Sequence, residues 1–176
     1  MTRYVAFLRG INVGGHRRLP MADLRDLLTG LGYTDTATYV QSGNAVLSTG
    51  TDDGEAVASA ITAAVRERFG MDVPTVVRSA ERMRAVVAAN PLEVPDPARF
   101  LVLFGTAPFD TAALRAVDLS AYPRERLAAT DTEVYTCHEQ GLRFAKLPDV
   151  VGRYTAGAVT ARNWRTVLRM LEMAQG

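Results

Sequence analysis

The N-terminal part of the chain alternates short apolar runs with segments of helical periodicity. Residues 3–9 are apolar or aromatic on both faces, which predicts a central strand buried above and below. Pro20 is suited to a first helical turn, and the apolar residues after it recur every three or four positions until Gly32. The pattern therefore predicts a strand, a long connecting loop and an amphipathic helix.

A hairpin and a second helix follow. Residues 36–48 predict two strands that flank a turn at Ser42-Gly43-Asn44. An amphipathic helix is predicted between Asp52, as its N-cap, and Gly70, and residues 74–78 predict a fourth strand. The order strand, helix, strand, strand, helix, strand is that of ferredoxin-like α+β folds.

The C-terminal part resembles a decayed copy of the first. Residues 99–105 have the character of residues 3–9, and chance similarity between two buried strands is an alternative of equal weight. The pattern predicts further elements: a helix over 111–117, a hairpin over 125–138, a short strand over 142–145 and a final helix over 160–174. The predicted organisation is a ferredoxin-like half over 1–79, a helix and linker over 80–98, and a second α/β half over 99–176.

Composition narrows the possible functions. The chain has 176 residues, is 48% hydrophobic and carries a formal net charge of +1, so it lacks the basic field by which nonspecific nucleic-acid binders attract phosphate backbones. Its single cysteine, Cys137, excludes an intramolecular disulfide, and no apolar run is long enough to span a bilayer. These features predict a cytoplasmic protein without a membrane partner, for which nucleic acid is an unlikely partner.

The loop between the first strand and the first helix carries the most distinctive residues. It contains Gly10, Gly14 and Gly15 together with four basic side chains: Arg9, His16, Arg17 and Arg18. Glycine lets the backbone approach a ligand closely, and arginine or free backbone amides bind anions. The spacing matches neither a P-loop, which needs Lys-Ser/Thr after the last glycine, nor the dinucleotide-binding glycine pattern.

Topology gives this loop two predicted neighbours. In a split βαβ unit the first and second strands are parallel, so the turn at Ser42-Gly43-Asn44 should lie beside the end of the first strand. Thr160 is a predicted N-cap for the last helix, which would place Arg162 and Asn163 at an anion-attracting helix start. These segments predict a pocket for a carboxylate or phosphate.

Signatures of catalysis are weak. His16 and His138 are the only histidines, and without a clustered set of carboxylates they make a poor metal site. Cys137 and His138 are adjacent in a predicted strand, so their side chains point to opposite faces and cannot form a nucleophile–base pair. The sequence identifies no catalytic residue, no metal site and no cofactor.

Three motifs carry a resemblance to a known family. They are Leu8-Arg9-Gly10-Ile11-Asn12-Val13-Gly14-Gly15, Gln41-Ser42-Gly43-Asn44 and Thr160-Ala161-Arg162-Asn163-Trp164-Arg165-Thr166-Val167. With these motifs in this order, the chain resembles the bacterial domain of unknown function 1697 family from end to end. The resemblance implies two ferredoxin-like halves and no established reaction. It also implies that the polar residues of the three motifs form one set.

The leading hypothesis is an uncharacterised cytoplasmic protein that binds a small anionic ligand. The predicted ligand-binding residues are Arg9, Gly10, Asn12, Gly14, Gly15, Ser42, Gly43, Asn44, Arg162 and Asn163. Two other hypotheses stay open: a nucleic-acid-binding module that uses a ferredoxin-like sheet, and a non-catalytic interaction domain whose polar motifs brace the fold. The sequence determines neither the oligomeric state nor whether the protein is an enzyme.

Overall fold

A computed structural model describes all residues from Met1 to Gly176. The chain divides into two compact units. Unit 1 comprises Met1–Arg84 and Arg169–Gly176, and unit 2 comprises Ala85–Leu168. The change from one unit to the other therefore falls inside the segment 80–98 that the sequence marks as helix and linker, while the last residues of the chain group with unit 1.

Unit 1 has the predicted order of strands and helices. Its elements are β1 (Thr2–Leu8), α1 (Met21–Gly30), β2 (Thr34–Tyr39), β3 (Asn44–Thr49), α2 (Gly54–Phe69) and β4 (Thr75–Ser79). The strands form one antiparallel sheet in the order β2-β3-β1-β4. In the centre of the sheet Val5 pairs with Val46 on one side and with Arg78 on the other.

The core of unit 1 lies between the sheet and its two helices. Alternate residues of β1, including Tyr4, Ala6 and Leu8, face the buried stripes of α1 and α2. At the start of α2 the N-cap is Asp53, whose carboxylate accepts a hydrogen bond from the Ala56 amide at 3.0 Å. The prediction of Asp52 as this cap is wrong because Asp52 instead accepts a hydrogen bond from the Thr2 hydroxyl.

Unit 2 repeats the strand order of unit 1. The remaining elements are α3 (Ala80–Ala88), β5 (Phe100–Gly105), α4 (Thr111–Arg115), β6 (Glu125–Ala129), β7 (Glu133–His138), α5 (Leu147–Val151), β8 (Val159–Asn163) and α6 (Trp164–Gln175). Short 3-10 turns lie at Pro97–Arg99, Leu119–Ala121, Leu142–Phe144 and Gly152–Tyr154. The antiparallel order β6-β7-β5-β8 matches β2-β3-β1-β4 position by position, which confirms the prediction of two similar halves.

Two predicted elements of unit 2 are wrong. The segment Leu142–Phe144 is a 3-10 turn and not a strand. The predicted helix over 160–174 begins later, because Val159–Asn163 pairs with β5 as the strand β8 and α6 starts at Trp164. Pairing with the open edge of β5 satisfies the backbone of this segment, and that tertiary contact overrides the helical periodicity.

One hydrophobic cluster of unit 2 lies on one face of its sheet, and the strand β5 is buried on both faces. Leu101, Leu103 and Val134 from the strands pack with Leu114 of α4 and Val151 of α5. None of the helices in either unit combines the length and the apolar character needed to cross a bilayer.

Candidate functional site

The glycine-rich loop leaves the sheet of unit 1 at the end of β1. The Leu8 amide donates to the Gly43 carbonyl at 2.8 Å, and the Arg9 amide donates to the Pro74 carbonyl at 3.0 Å. These two bonds place the start of the loop between the β2–β3 turn and the residue that precedes β4. The loop and the turn therefore lie together, as the predicted topology requires.

Asn12 holds the loop to itself and to the turn. Its Nδ2 donates to the carbonyls of Leu19 at 2.8 Å and Gln41 at 2.7 Å, while its Oδ1 accepts from the Leu19 amide at 2.8 Å. Asparagine also suits the backbone here, because Asn12 has a φ of 55°, in the left-handed region. Both ends of the Asn12 amide are thus engaged in bracing the loop.

Gly43 makes the contact between the turn and the loop close. A Cβ atom at this position would lie 2.8 Å from Cδ1 of Ile11 and 2.9 Å from Cβ of Leu8, and the φ of Gly43 is 82°. Only glycine fits both the backbone geometry and the space. Next to it, Asn44 is fully buried and donates from Nδ2 to the Tyr39 carbonyl at 3.1 Å, whereas Ser42 is exposed.

The outer face of the loop is polar, basic and open. Gly10, Gly14 and Gly15 are exposed with φ values of 70°, 60° and 77°. Arg9 and Arg18 are exposed and their guanidinium groups have no ion-pair or hydrogen-bond partner, whereas Arg17 donates to the Asp72 carbonyl. The residues on this face can contact a ligand without breaking the bonds that hold the loop.

Arg162 and Asn163 have roles inside unit 2. Nη1 of Arg162 donates to the Thr160 hydroxyl at 2.7 Å and to the Ala161 carbonyl at 2.9 Å, and burial lowers the pKa of Arg162 to about 10. Oδ1 of Asn163 accepts from the Thr166 amide at 2.9 Å, so it is Asn163 that caps α6. The prediction that Thr160 caps this helix, with Arg162 and Asn163 in its first turn, is wrong.

A buried polar chain in unit 2 was not predicted. Glu125 of β6 is the cross-strand partner of His138 of β7, and Nδ1 of His138 lies 2.8 Å from Oε1 of Glu125. Nε2 of the same ring lies 2.7 Å from the hydroxyl of Thr136, two residues earlier on the same face of β7. The sequence contains a signal for part of this chain, because Thr136 and His138 are two residues apart in a strand and therefore share a face.

The hydrogen bonds fix the proton positions of this chain. Oε1 of Glu125 also accepts from the amides of Lys146 at 2.8 Å and Leu147 at 3.2 Å, so it acts as an acceptor and Nδ1 of His138 is the donor. Burial lowers the pKa of His138 against the opposing attraction of Glu125, which keeps the ring neutral, and its Nε2 then accepts from Thr136.

The arrangement resembles a nucleophile–histidine–carboxylate relay in connectivity only. The side chain of Thr136 is fully buried, and both nitrogens of the His138 ring are occupied. A nucleophile must reach its substrate, so Thr136 is not placed for covalent catalysis. Across the described chain, no three His, Cys, Asp or Glu side chains cluster in a way that could hold a metal ion.

Comparison with known proteins agrees with the resemblance in the motifs. The sequence profile of the protein family of unknown function DUF1697 matches residues 1–135. The chain belongs to this family. No curated protein matches this DUF1697 protein. Among solved structures, the conserved bacterial protein SP0830 from Streptococcus pneumoniae is similar, with 24% sequence identity, a TM-score of 0.75 and 98% of each chain covered. This likeness shows that the two chains share a fold.

Proposed function

We propose that this DUF1697 protein binds a small anion, a phosphate or carboxylate group, on the outer face of the glycine-rich loop of unit 1. The observation that carries the proposal is that different residues of the loop hold its backbone and present its positive charge. Asn12 fixes the backbone with bonds to Leu19 and Gln41, while Arg9 presents a guanidinium group that no protein carboxylate neutralises. The part of the chain that matches the family profile, residues 1–135, includes the whole of this loop.

Preorganisation supports anion binding at this face. A guanidinium group recognises phosphate or carboxylate through two parallel N–H donors, and exposed backbone amides add further donors. The amides of Gly10, Gly14 and Gly15 lie on the exposed part of the loop and form no hydrogen bond within the protein. Because the loop is already held by Asn12, little conformational entropy is lost when an anion binds.

The proposed site is smaller than the set of residues predicted from the sequence. Arg9 and the amides of the three glycines are the proposed contacts, and Ser42 belongs to the adjoining turn and is exposed. Asn12, Gly43 and Asn44 act as its scaffold, through the bonds and the close packing described above. Arg162 and Asn163 belong to unit 2, so the proposed anion site consists of unit 1 residues alone.

A titration with inorganic phosphate and citrate tests this function. We expect binding to the wild type that weakens by about tenfold or more in Arg9→Ala, which corresponds to about 1.4 kcal/mol for one charge-assisted contact. The matched control is Arg84→Ala, which removes another exposed, unpartnered arginine of unit 1 from the helix α3. The proposal is wrong if neither anion binds, or if the two variants lose affinity equally.

The same titration distinguishes the alternatives left open by the sequence. Binding of a short single-stranded RNA that falls steeply with salt, without any response to phosphate or citrate, supports a nucleic-acid-binding module and overturns the small-anion proposal. Absence of all binding, combined with loss of stability in Asn12→Ala, supports an interaction domain braced by its polar motifs.

A further inference from the structure

Unit 2 contains an open cleft of about 360 Å³ at the edge strand β6. It lies between the segment that leads into β6 and the segment that connects β7 to α5. The polar and aromatic side chains that matter for its chemistry are Tyr122, Arg124, His138, Gln140, Phe144 and Lys146. The volume falls within the range of pockets that hold small organic ligands.

The lining of the cleft carries two positive side chains, Arg124 and Lys146, and one negative side chain, Glu125. Lys146 is the only lysine of the chain, and its exposed ammonium group has no carboxylate partner. The only acidic side chain in the lining, Glu125, is nearly buried and already accepts three hydrogen bonds at Oε1. Arg124 pairs with Glu139 at 3.3 Å, but both side chains are at least half exposed, so this pair is weak. Lys146 is therefore the cation of the lining that can pair with an anionic group.

An aromatic side chain at the cleft is left open to solvent. Phe144 is 60% exposed in the turn Leu142–Phe144, and the guanidinium carbon of Arg143 lies 5.7 Å from the centre of its ring. Tyr122 lines the cleft from the segment that leads into β6 and is partly buried. A large exposed apolar ring at the mouth of a pocket favours a ligand with a flat apolar part, since ring–ring contact removes both surfaces from water.

The buried polar chain holds the cationic side of the cleft in place. Glu125 accepts from Nδ1 of His138, whose Nε2 is held by Thr136, and Oε1 of Glu125 also accepts from the amides of Lys146 and Leu147. The backbone of Lys146 is thereby tied to the sheet through a carboxylate that is only 8% exposed. A lysine whose backbone is fixed in this way can meet an anion at a defined position.

We propose that this cleft is a second ligand site, which takes an aromatic anion: a flat ring bearing one carboxylate or phosphate group. The acid group contacts Lys146 and Arg124, and the ring lies against Phe144. Binding is noncovalent, and it is independent of the anion site proposed for the loop of unit 1, because the two sites share no residue.

Three small probes distinguish the contribution of the negative charge from that of the aromatic ring. Benzoate carries both features, benzamide lacks the charge, and cyclohexanecarboxylate lacks the aromatic ring. We expect binding of benzoate to exceed that of either other probe by about tenfold or more, measured by chemical-shift titration. Equal binding of benzoate and benzamide overturns the anionic assignment. Equal binding of benzoate and cyclohexanecarboxylate overturns the aromatic assignment.

Matched variants locate the site. Lys146→Gln is expected to weaken benzoate binding by about tenfold, because the charge that neutralises the carboxylate is lost. Arg153→Gln, an exposed arginine outside the lining of the cleft, should leave the affinity within about twofold. Phe144→Ala is compared with Leu142→Ala, which truncates another exposed apolar side chain of the same turn. Similar losses in both members of either pair contradict the proposal.

The single lysine allows a test that needs no variant. An amine-reactive ester can modify only Lys146 and the α-amino group, and peptide mass spectrometry distinguishes the two. Saturating benzoate should slow the modification of Lys146 and leave that of the α-amino group unchanged. Unchanged modification of Lys146 in the presence of benzoate overturns the site, and this result does not bear on the loop of unit 1.

Discussion

The two units have the same strand order but differ in which connection between a strand and a helix is long. In unit 1 the long connection is Arg9–Pro20, between β1 and α1, whereas its counterpart in unit 2, between β5 and α4, is the shorter Thr106–Asp110. In unit 2 the connection Glu139–Lys146, between β7 and α5, is extended, whereas its counterpart in unit 1 is the shorter Gly50–Asp53. Because β5 and β7 are antiparallel, as β1 and β3 are, these long connections leave opposite ends of equivalent sheets.

This difference shows that the repeated scaffold does not determine where the candidate chemistry lies. The sheet and its helices fix the ends of each connection, and the length and side chains of the connection decide what is presented. In unit 1 the half-buried side chain of Asn12 holds an exposed basic loop. In unit 2 a buried carboxylate, Glu125, holds the side of a cleft.

The largest expected effect comes from Gly43, where loop and turn of unit 1 meet. Gly43→Ala should lower the free energy of unfolding by about 3 kcal/mol, since the new methyl group meets Leu8 and Ile11 and the φ of 82° is strained for alanine. Gly50→Ala is the control, because its Cβ would have open space and its backbone lies outside the left-handed region. Urea denaturation that finds equal stability in the two variants would show that the loop does not depend on this contact.

The second prediction compares the stability lost when Asn12, the brace of the loop, or Asn163, a helix cap in unit 2, is replaced by alanine. Asn12→Ala removes three hydrogen bonds and should cost about 2 kcal/mol of stability. Asn163→Ala removes one helix cap in unit 2 and should cost about 1 kcal/mol. Both losses are measured by urea denaturation at neutral pH. A smaller loss for Asn12→Ala than for Asn163→Ala would contradict the role of Asn12 as the central brace.

The smallest expected effect is a pH dependence confined to unit 2. Burial lowers the pKa of His138 below its ordinary value of 6.5, so the unfolded chain binds this proton more readily than the folded one. The contribution of His138 to stability is therefore complete above pH 6.5 and is lost as the pH falls from there through the lowered pKa. The slope can reach at most about 1.4 kcal/mol per pH unit.

His138→Gln provides the comparison for this prediction. Glutamine cannot take up a proton in this range, so the variant should show a flatter stability profile below pH 6.5 than the wild type. We would measure urea midpoints between pH 5 and pH 8. Parallel profiles for the two proteins would show that protonation of His138 does not destabilise unit 2.

Local patterns predicted much of unit 1. Alternating and helical periodicities identified its strands and helices, and turn chemistry at Ser42-Gly43-Asn44 located the hairpin. The sequence also predicted that the glycine-rich loop meets this turn, because strand topology follows from the order of the elements. It did not predict that the side-chain amide of Asn12 donates to the Gln41 carbonyl, because that bond joins segments 29 positions apart in the chain.

Unit 2 was harder to predict because its decisive contacts are nonlocal. The strand β8 and the helix α6 share one apparently helical segment, and only pairing with β5 reveals the break at Asn163. Glu125 and His138 are thirteen positions apart, and cross-strand register brings them together. Lys146 lines a cleft that no local pattern encodes.

The sequence by itself determined the α+β class and the glycine-rich loop, because periodicity and turn residues act over short distances, whereas the repeat of two halves was decided by the matching strand orders. The tertiary structure alone decided which polar residues are available to a ligand. The side chains of Asn12, Asn44 and Asn163 form hydrogen bonds with the protein backbone, so those groups are not available to a ligand. Arg9 and Lys146, in contrast, are exposed and their charges are unpaired. Whether a polar side chain is hydrogen-bonded within the protein or left without a partner depends on the neighbours that it acquires on folding.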